Sequence, residues 1–304
     1  MIDLHLHLDG SISKEDFIYL LNKSFGNWLS DRSFLKLKYW LVMDKRLNLD
    51  NPQTFSEKLQ WLKLNDRRPE YTDMVDKVKA KEYVASVLGD EFIIPTLGVW
   101  EDPEKIDFDA LPDRFVIKCN HNSGTGMYIC KDKSKMDVER VKKELKKGLK
   151  SDYYLLGREW PYKNVARRIL AEKFIDPAPN MTDLPDYKFF CFNGEPKFCQ
   201  VISNRNTQMS IDFFDFEWKH QPFHEPHNYP FADTEPQKPK NYEKMWDAAA
   251  RLAKGKPFSR IDFYDIGERV YFGEITFYPT SGMGGFDPDE WDVKFGEWIK
   301  LPSI

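Results

Sequence analysis

The chain has 304 residues, enough to bury about three quarters of its unfolded surface and to form about two domains. Hydrophobic residues at 41%, aromatics at 15%, and 16 Gly and 19 Pro spread along the chain exclude collagen-like, low-complexity and wholly disordered classes. The charge balance, 45 Lys+Arg against 49 Asp+Glu or −4, leaves no electrostatic footprint for a duplex nucleic acid. The run of Lys142, Lys143, Lys146, Lys147 and Lys150 reads as the solvated face of a helix.

In chain order, the opening residues 1–5 carry neither a basic nor an uninterrupted apolar leader pattern, and no apolar run approaches ~18 residues, so no membrane span is expected. Residues 14–21 predict a helix. The aromatic and basic stretch over 34–42 would dock on a core, a partner or a membrane surface, and the need of a short helix for tertiary packing favours the protein's own core. Thr54 and Glu57 have capping-box spacing behind Pro52 and open a helix. Another helix is expected from Thr72 or Asp73 through Leu88, stopped by Gly89.

Beyond Pro95 the period turns strand-like. Residues 115–120 form a β-type run, 121–127 a small-residue loop and 127–130 a second strand. A charged helix over 137–150 and a strand over 168–175 follow. Residues 187–192 and 197–202 make a hairpin turned at Asn193-Gly194, where a type I′ turn needs positive φ twice. Residues 221–240, with Pro222, Pro226, Pro230, Pro236 and Pro239, read as a long loop or lid. A helix over 242–253 precedes a last hairpin, 259–264 and 270–277. The order implies an α+β or α/β fold with mostly antiparallel sheets. Cys119, Cys130, Cys191 and Cys199 form no CxxC pair and sit in or beside apolar runs, which predicts buried thiols, a reducing compartment and a cytoplasmic address.

Two places carry chemistry. Strand alternation sets Lys118 opposite the face of Phe115, Ile117 and Cys119, ahead of a glycine loop whose N–H groups can approach phosphate oxygens. The spacing is not that of a Walker A loop. Taken alone, Lys118 reads more often as a snorkelling strand lysine. In the last hairpin, a five-residue loop over 265–269 pairs Tyr264 with Val270, sets Asp262 opposite Phe272 and leaves Glu274 diagonal on the same face. Two carboxylates so placed, near Arg260, suit either Mg²⁺ bridging phosphates or a structural Arg–carboxylate pair.

Asp76-Lys77 with Lys81, the 115–118 strand with its glycine loop, the 170–175 strand, and Arg260-Ile261-Asp262 with Glu274-Ile275-Thr276 resemble, in order and spacing, the ATP-grasp enzymes. Residues 118–124, 186–194 and 273–279 are similar to the teichuronopeptide-biosynthesis, TupA-like branch found in bacterial surface-polysaccharide gene clusters. The resemblance covers roughly residues 45–300. It implies an α+β, ATP-grasp fold of two lobes around a nucleotide cleft, preceded by a helical region. The expected divisions are 1–68 (helical region), 69–112 (N-terminal lobe), 113–180 (small lobe) and 181–304 (large lobe).

The resemblance also implies roles. Lys77 and Lys118 would meet phosphates, Lys118 alternatively the adenine side. Ser123, Gly124 and Gly126 would close over the phosphates, and Glu172, Lys173 and Phe174 would form the adenine hinge, with Lys188 also on the nucleotide. Asp262, Glu274 and Thr276 would hold Mg²⁺, and Arg260 or Arg205 would meet an acyl phosphate. The family's usual Glu-x-Asn reads Glu274-Ile275-Thr276 here, which puts a second metal ion in doubt. The implied reaction uses ATP and Mg²⁺ to join a carboxylate to an amine in cell-surface polysaccharide or teichuronopeptide biosynthesis. Its acceptor would be a small molecule, glycan or peptide, selected by residues 221–240 and 281–285, beside envelope-synthesis machinery.

Residues 1–11 resemble the first strand of adenosine deaminase-like amidohydrolases through His5 and His7. That barrel needs about 250 residues and further ligands, and His121, His220, His224 and His227 supply no matching motif, so the likeness reads as a decoy. A glycosyltransferase is suggested by Asp212 with Asp215 and Asp262 with Asp265, but these are spaced DxxD rather than DxD, and no glycine fingerprint of a Rossmann opening is present. A nucleotide-binding protein without ligase activity is the other alternative.

Overall fold

A computed structural model of the chain describes residues 13–23, 25–177, 184–204, 208–225 and 229–303. His5 and His7 therefore lie outside the described residues, as does Arg205. The first described elements are helices α1 (Lys14–Lys23) and α2 (Asp31–Met43). Ser30 caps α2 by accepting from the Ser33 N–H, and Phe34, Leu35, Tyr39 and Leu41 turn inward onto the main core. The aromatic stretch thus docks on the protein itself. Helix α3 (Phe55–Asn65) opens on the expected capping box: Thr54 Oγ1 accepts from Glu57 N–H and Glu57 accepts from Thr54 N–H, both at 3.2 Å.

The single helix expected up to Leu88 is instead two, α4 (Glu70–Val75) and α5 (Lys79–Leu88), with Gly89 ending the second at φ 106°. The break has a local cause. Asp76 adopts extended backbone and turns its carboxylate onto the Val78 N–H at 2.9 Å, while Lys77 N–H leaves the helical ladder and donates to Asn120 O. A short polar side chain competes here with the helix for its own backbone.

The smaller sheet contains β1 (Thr96–Trp100), β2 (Phe115–Cys119), β3 (Met127–Cys130) and β4 (Ile169–Lys173), all antiparallel in the order β1-β4-β2-β3. Helix α6 (Val138–Lys150), capped by Asp137, covers one face through Val141 and Leu145 and leaves most of its lysines to solvent. A short α7 (Tyr153–Gly157) begins the connector back to β4. The first residue of α2, Asp31, grips that connector: it accepts from Tyr154 Oη and from Arg67 Nη2, each at 2.7 Å, and Arg158 Nη2 donates to Gly26 O at the same distance.

The larger sheet, in the order β7-β6-β5-β8-β9, is built from β5 (Asp186–Phe192), β6 (Glu195–Ser203), β7 (Ser210–Phe214), β8 (Phe258–Asp265) and β9 (Val270–Thr276). Asn193 and Gly194 have φ of 50° and 88°, the turn their sequence predicts. Helix α8 (Tyr242–Ala253) covers one face. On the other, α3 and α9 (Glu290–Trp298) lay Phe55 and Phe295 over Phe192, Phe198 and Phe258. Neither β7 nor α9 was expected from the sequence. The described parts of the expected long loop, residues 221–225 and 229–240, contain no helix or strand, and His224 is tied to Asp287 through a pair of backbone hydrogen bonds. The architecture is α+β, with two antiparallel sheets and a helical N-terminal region. All four cysteines are free and buried. Among the described residues no helix is long and apolar enough to cross a membrane.

The register of the last hairpin differs from the expected one. Asp265 pairs with Val270 around a four-residue turn, Phe263 with Phe272, and a bulge then sets Glu274 directly opposite Asp262. Gly273 is the extra residue: a Cβ there would lie 3.1 Å from Asp262 O and 3.3 Å from the Tyr264 ring. A bulge re-aims the side chains beyond it, and here it converts a diagonal pair of carboxylates into a facing pair.

Phe198 is 2% exposed and stacks on Phe190 at 4.7 Å between centroids while meeting Phe295 at 4.9 Å. Phe198→Ala should cost about 3–5 kcal/mol, read as a lowered urea midpoint. A loss below about 1 kcal/mol would mean that this aromatic layer collapses to fill the gap.

Candidate active site

Along one face of β5 the side chains run Phe192, Phe190, Lys188, Asp186, so one buried strand passes from an aromatic core to a charged end. The cross-strand pairing continues the charged row: Lys188 opposes Asp262, and Asp262 opposes Glu274. Arg260 and Thr276 form the next row. Arg260 grips Asp262 with Nε and Nη2, both at 2.8 Å, and Nη2 also donates to Glu274 Oε1 at 3.0 Å and Thr276 Oγ1 at 3.2 Å. Lys188 donates to the second oxygen of Asp262.

Asp262 is 2% exposed, and burial pushes its carboxyl up against the pull of Arg260 and Lys188. For Glu274 the balance goes the other way: burial raises it, but Lys77, Arg260 and Lys188 together bring it down to about 2. The Glu274 side chain keeps about a third of its surface open, at 34%. Only Oε1 of that carboxylate is engaged by hydrogen bonds among the described residues.

The smaller sheet contributes a second group. Lys118 on β2 and Lys81 on α5 both contact Glu172 on β4, at 2.5 and 2.6 Å. Burial would raise Glu172, but the two lysines hold it below the ordinary carboxylate range. Lys77, at the break between α4 and α5, donates through Nζ to Asn122 O at 2.8 Å, and burial lowers it. Its backbone is fixed by a buried network: Asp76 accepts from Asn120 Nδ2 and Arg168 Nη2, each at 2.7 Å, and Arg168 N–H donates to Asn120 Oδ1 at the same distance.

Lys77, Lys81, Lys118, Glu172 and Glu274 line one cleft with Met74, Ile94 and Phe272, where about 10 Å³ of space is enclosed, room for one water molecule. The loop over 121–127 borders Lys77. Its two glycines differ: Gly126 packs against α6, where a Cβ would come within 2.8 Å of Gly148 Cα and Cys119 Sγ, whereas nothing lies within 4 Å of a Cβ at Gly124. Ser123 and Gly124 are exposed, Gly126 buried.

The structure thus brings together Lys77, Lys118 and Glu172 with Glu274, and sets Lys188, Asp262, Arg260 and Thr276 beside it. Lys173 is exposed on the strand face opposite Glu172, its N–H bonded to Pro95 O, and Phe174 lies under Arg114 at 4.2 Å. The aspartates that suggested a glycosyltransferase are otherwise engaged: Asp212 accepts from His220 and Ala232, and Asp215 from Lys219 and Gln221. Asn120, Arg168 and Gln200 escaped the sequence reading. Alternation from Lys118 could have pointed to Asn120; Gln200, opposite Lys188 and 2% exposed with an unpartnered Nε2, gave no signal.

A family model described as TupA-like ATPgrasp matches residues 57–300. No curated protein matches the chain. Among solved structures, a D-alanine–D-alanine ligase from Bacillus anthracis is 18% identical with a TM-score of 0.40, over 67% of this chain and 57% of that one. D-alanyl-alanine synthetase A from Vibrio cholerae is 14% identical with a TM-score of 0.44, over 75% and 64%. A D-alanine–D-alanine ligase from Helicobacter pylori is 17% identical with a TM-score of 0.39, over 81% and 69%. The chain spans a little over half the length of the Bacillus anthracis enzyme.

The depressed Glu274 has a pH consequence. A carboxyl at about 2 in the folded state and 4.5 ordinarily adds stability that is fully present above 4.5 and is lost as pH falls toward 2. Wild type should therefore lose stability in this window faster than Glu274→Gln. Superimposed acid-unfolding curves by circular dichroism would contradict the charge arrangement around Glu274.

Proposed function

Because the chain belongs to the TupA-like ATP-grasp family, we propose that it is an ATP- and Mg²⁺-dependent ligase joining a carboxylate to an amine through an acyl phosphate. We place the reaction in the cytoplasm, in assembly of a bacterial cell-surface polysaccharide or teichuronopeptide, with a small-molecule, glycan or peptide acceptor and peripheral association with envelope-synthesis machinery. One observation carries the reading: Glu274, which faces Asp262 from the adjacent strand, lines one cleft with two lysines from other elements, Lys77 and Lys118.

The donor set fits the ion. Mg²⁺ is held by one or two carboxylates completed by substrate phosphates rather than by an all-protein cage. Among the described residues no group of three or more His, Cys, Asp or Glu side chains is arranged to hold a metal ion, while Asp262 and Glu274 stand as a pair with the Thr276 hydroxyl beside them. These three would hold the ion, which when bound supplies charge neutralisation to the phosphates.

The chain's own residues do the rest. Lys77 and Lys118 would meet phosphate oxygens in exchange for Asn122 O and Glu172, and the open space at Gly124 would let backbone N–H groups come close. Arg260 spends Nε and Nη2 on the carboxylates and Thr276, and its Nη1 makes no hydrogen bond within the described residues. That nitrogen is the donor we assign to the acyl phosphate. Phosphoryl transfer asks for position and charge more than covalent help, which agrees with the want of a nucleophile motif in the sequence.

The test is ADP release from ATP and Mg²⁺ in the presence of a panel of cell-envelope amino acids and uronic acids. Wild type should respond to at least one acid, and Asp262→Asn or Glu274→Gln should lower the rate about 100-fold or more. Nucleotide binding that persists unchanged by calorimetry in Asp262→Ala/Glu274→Ala with Mg²⁺ would remove these residues from the ion.

A further inference from the structure

Lys63 of α3 is fully buried and lies outside the residues assigned so far. Its ammonium donates to Gly157 O and Ser281 O, each at 2.7 Å, and to Ser281 Oγ at 3.0 Å, using all three protons. One turn earlier on the same helix, Gln60 Nε2 donates to Gly282 O at 2.7 Å and Ser281 O at 3.1 Å. The segment they hold is unusual. Thr280, Ser281 and Gly282 have φ of 50°, 55° and 62°, three successive left-handed residues of which two carry side chains. Such backbone persists only where its surroundings over-determine it.

The second partner is the connector that begins with α7. Gly157 packs so closely that a Cβ would come within 2.1 Å of Ser281 Oγ and 3.0 Å of Glu159 Oε1. Glu159 is 5% exposed, and its carboxylate is the main opposite charge felt by Lys63. The same connector carries Tyr153 and Tyr162, half-buried rings in edge-on contact at 4.7 Å. The left-handed turn starts four residues beyond Thr276, the last residue of the strand that carries Glu274.

We infer that Lys63 is a positioning residue: through Ser281 and Gly157 it joins the turn after β9 to the Tyr153–Tyr162 connector, and so sets the wall of the site that receives the acceptor. The word acceptor rests on the ligase reading; the tie itself does not. Lys63 reaches no reacting atom and acts through the segments it holds.

Hydrogen exchange by mass spectrometry on the full chain tests the tie. Lys63→Met should speed exchange about tenfold or more in residues 279–285 and 153–162 together, leaving β5 and β8 unchanged. Ser281→Ala, which removes one of the three acceptors from a half-buried loop, should shift the same two segments by less, and it decides the matter should Lys63→Met not fold. Lys143→Met, on exposed α6, should change neither. Acceleration confined to one segment, or spread uniformly over the chain, would overturn the inference.

The kinetic arm uses the acid that drives ADP release. Ser281→Ala and Lys63→Met should raise the KM for that acid while the KM for ATP stays within about twofold, a split that general destabilisation would not produce. Equal rises in both would overturn the positioning role. Should wild type neither bind ATP nor release ADP, the ligase reading falls and the exchange comparison alone decides the tie.

Discussion

The Arg260 guanidinium is the constraint around which the molecule is arranged. Asp262 is buried at the border of the phenylalanine layer of one sheet face, and an unpaired carboxylate there would cost several kcal/mol. A lysine could neutralise it only as a point charge. The planar fork of Arg260 holds both Asp262 oxygens and still reaches Glu274 and Thr276 on the next strand. That reach requires Glu274 to stand opposite Asp262, which the Gly273 bulge provides, and requires the aromatic cover of α3 and α9 to stop before Lys188. Sheet register, glycine bulge and helix placement are thus all conditions for one buried cluster of charges.

The opposing group is organised differently. Lys77 is carried by no regular element; its position comes from Asp76, Asn120 and Arg168, three polar residues from three parts of the chain locked by short hydrogen bonds. Removing the helix between Val75 and Lys79 sacrifices backbone bonds, and the network replaces them. Beside it, the glycine loop is stiff at Gly126, where it meets α6 backbone to backbone, and open at Gly124. A fixed base with an open tip suits a segment that must approach a ligand without being remade by it.

Much of this was legible in the residues because the signals were local. The capping box at Thr54, the Asn193-Gly194 turn, the α8 boundaries and the alternation that sets Lys118 opposite the apolar face of its strand all follow from neighbours within a few positions. The misses were non-local. Nothing near Asp76 announces that Asn120 and Arg168 will draw it out of a helix. Gly273 reads as an ordinary strand glycine until the partner strand shows that it is surplus by one, and a single residue of register decides which carboxylate faces which. Lys63 sits in a helix where a lysine normally means solvent, and only the fold reveals that its ammonium ends among carbonyls.

The matched family segment begins at residue 57, yet Asp31, well before it, holds Tyr154, Arg67 and Arg158 at once. The segment ahead of the family core is therefore a keystone more than an appendage. A chain trimmed to the shared core would keep both sheets and every charged residue of the cleft, but it would leave Arg158, only 2% exposed in the intact fold, facing water with its acidic partner gone. The boundary of kinship in this molecule and the boundary of its packed core fall in different places.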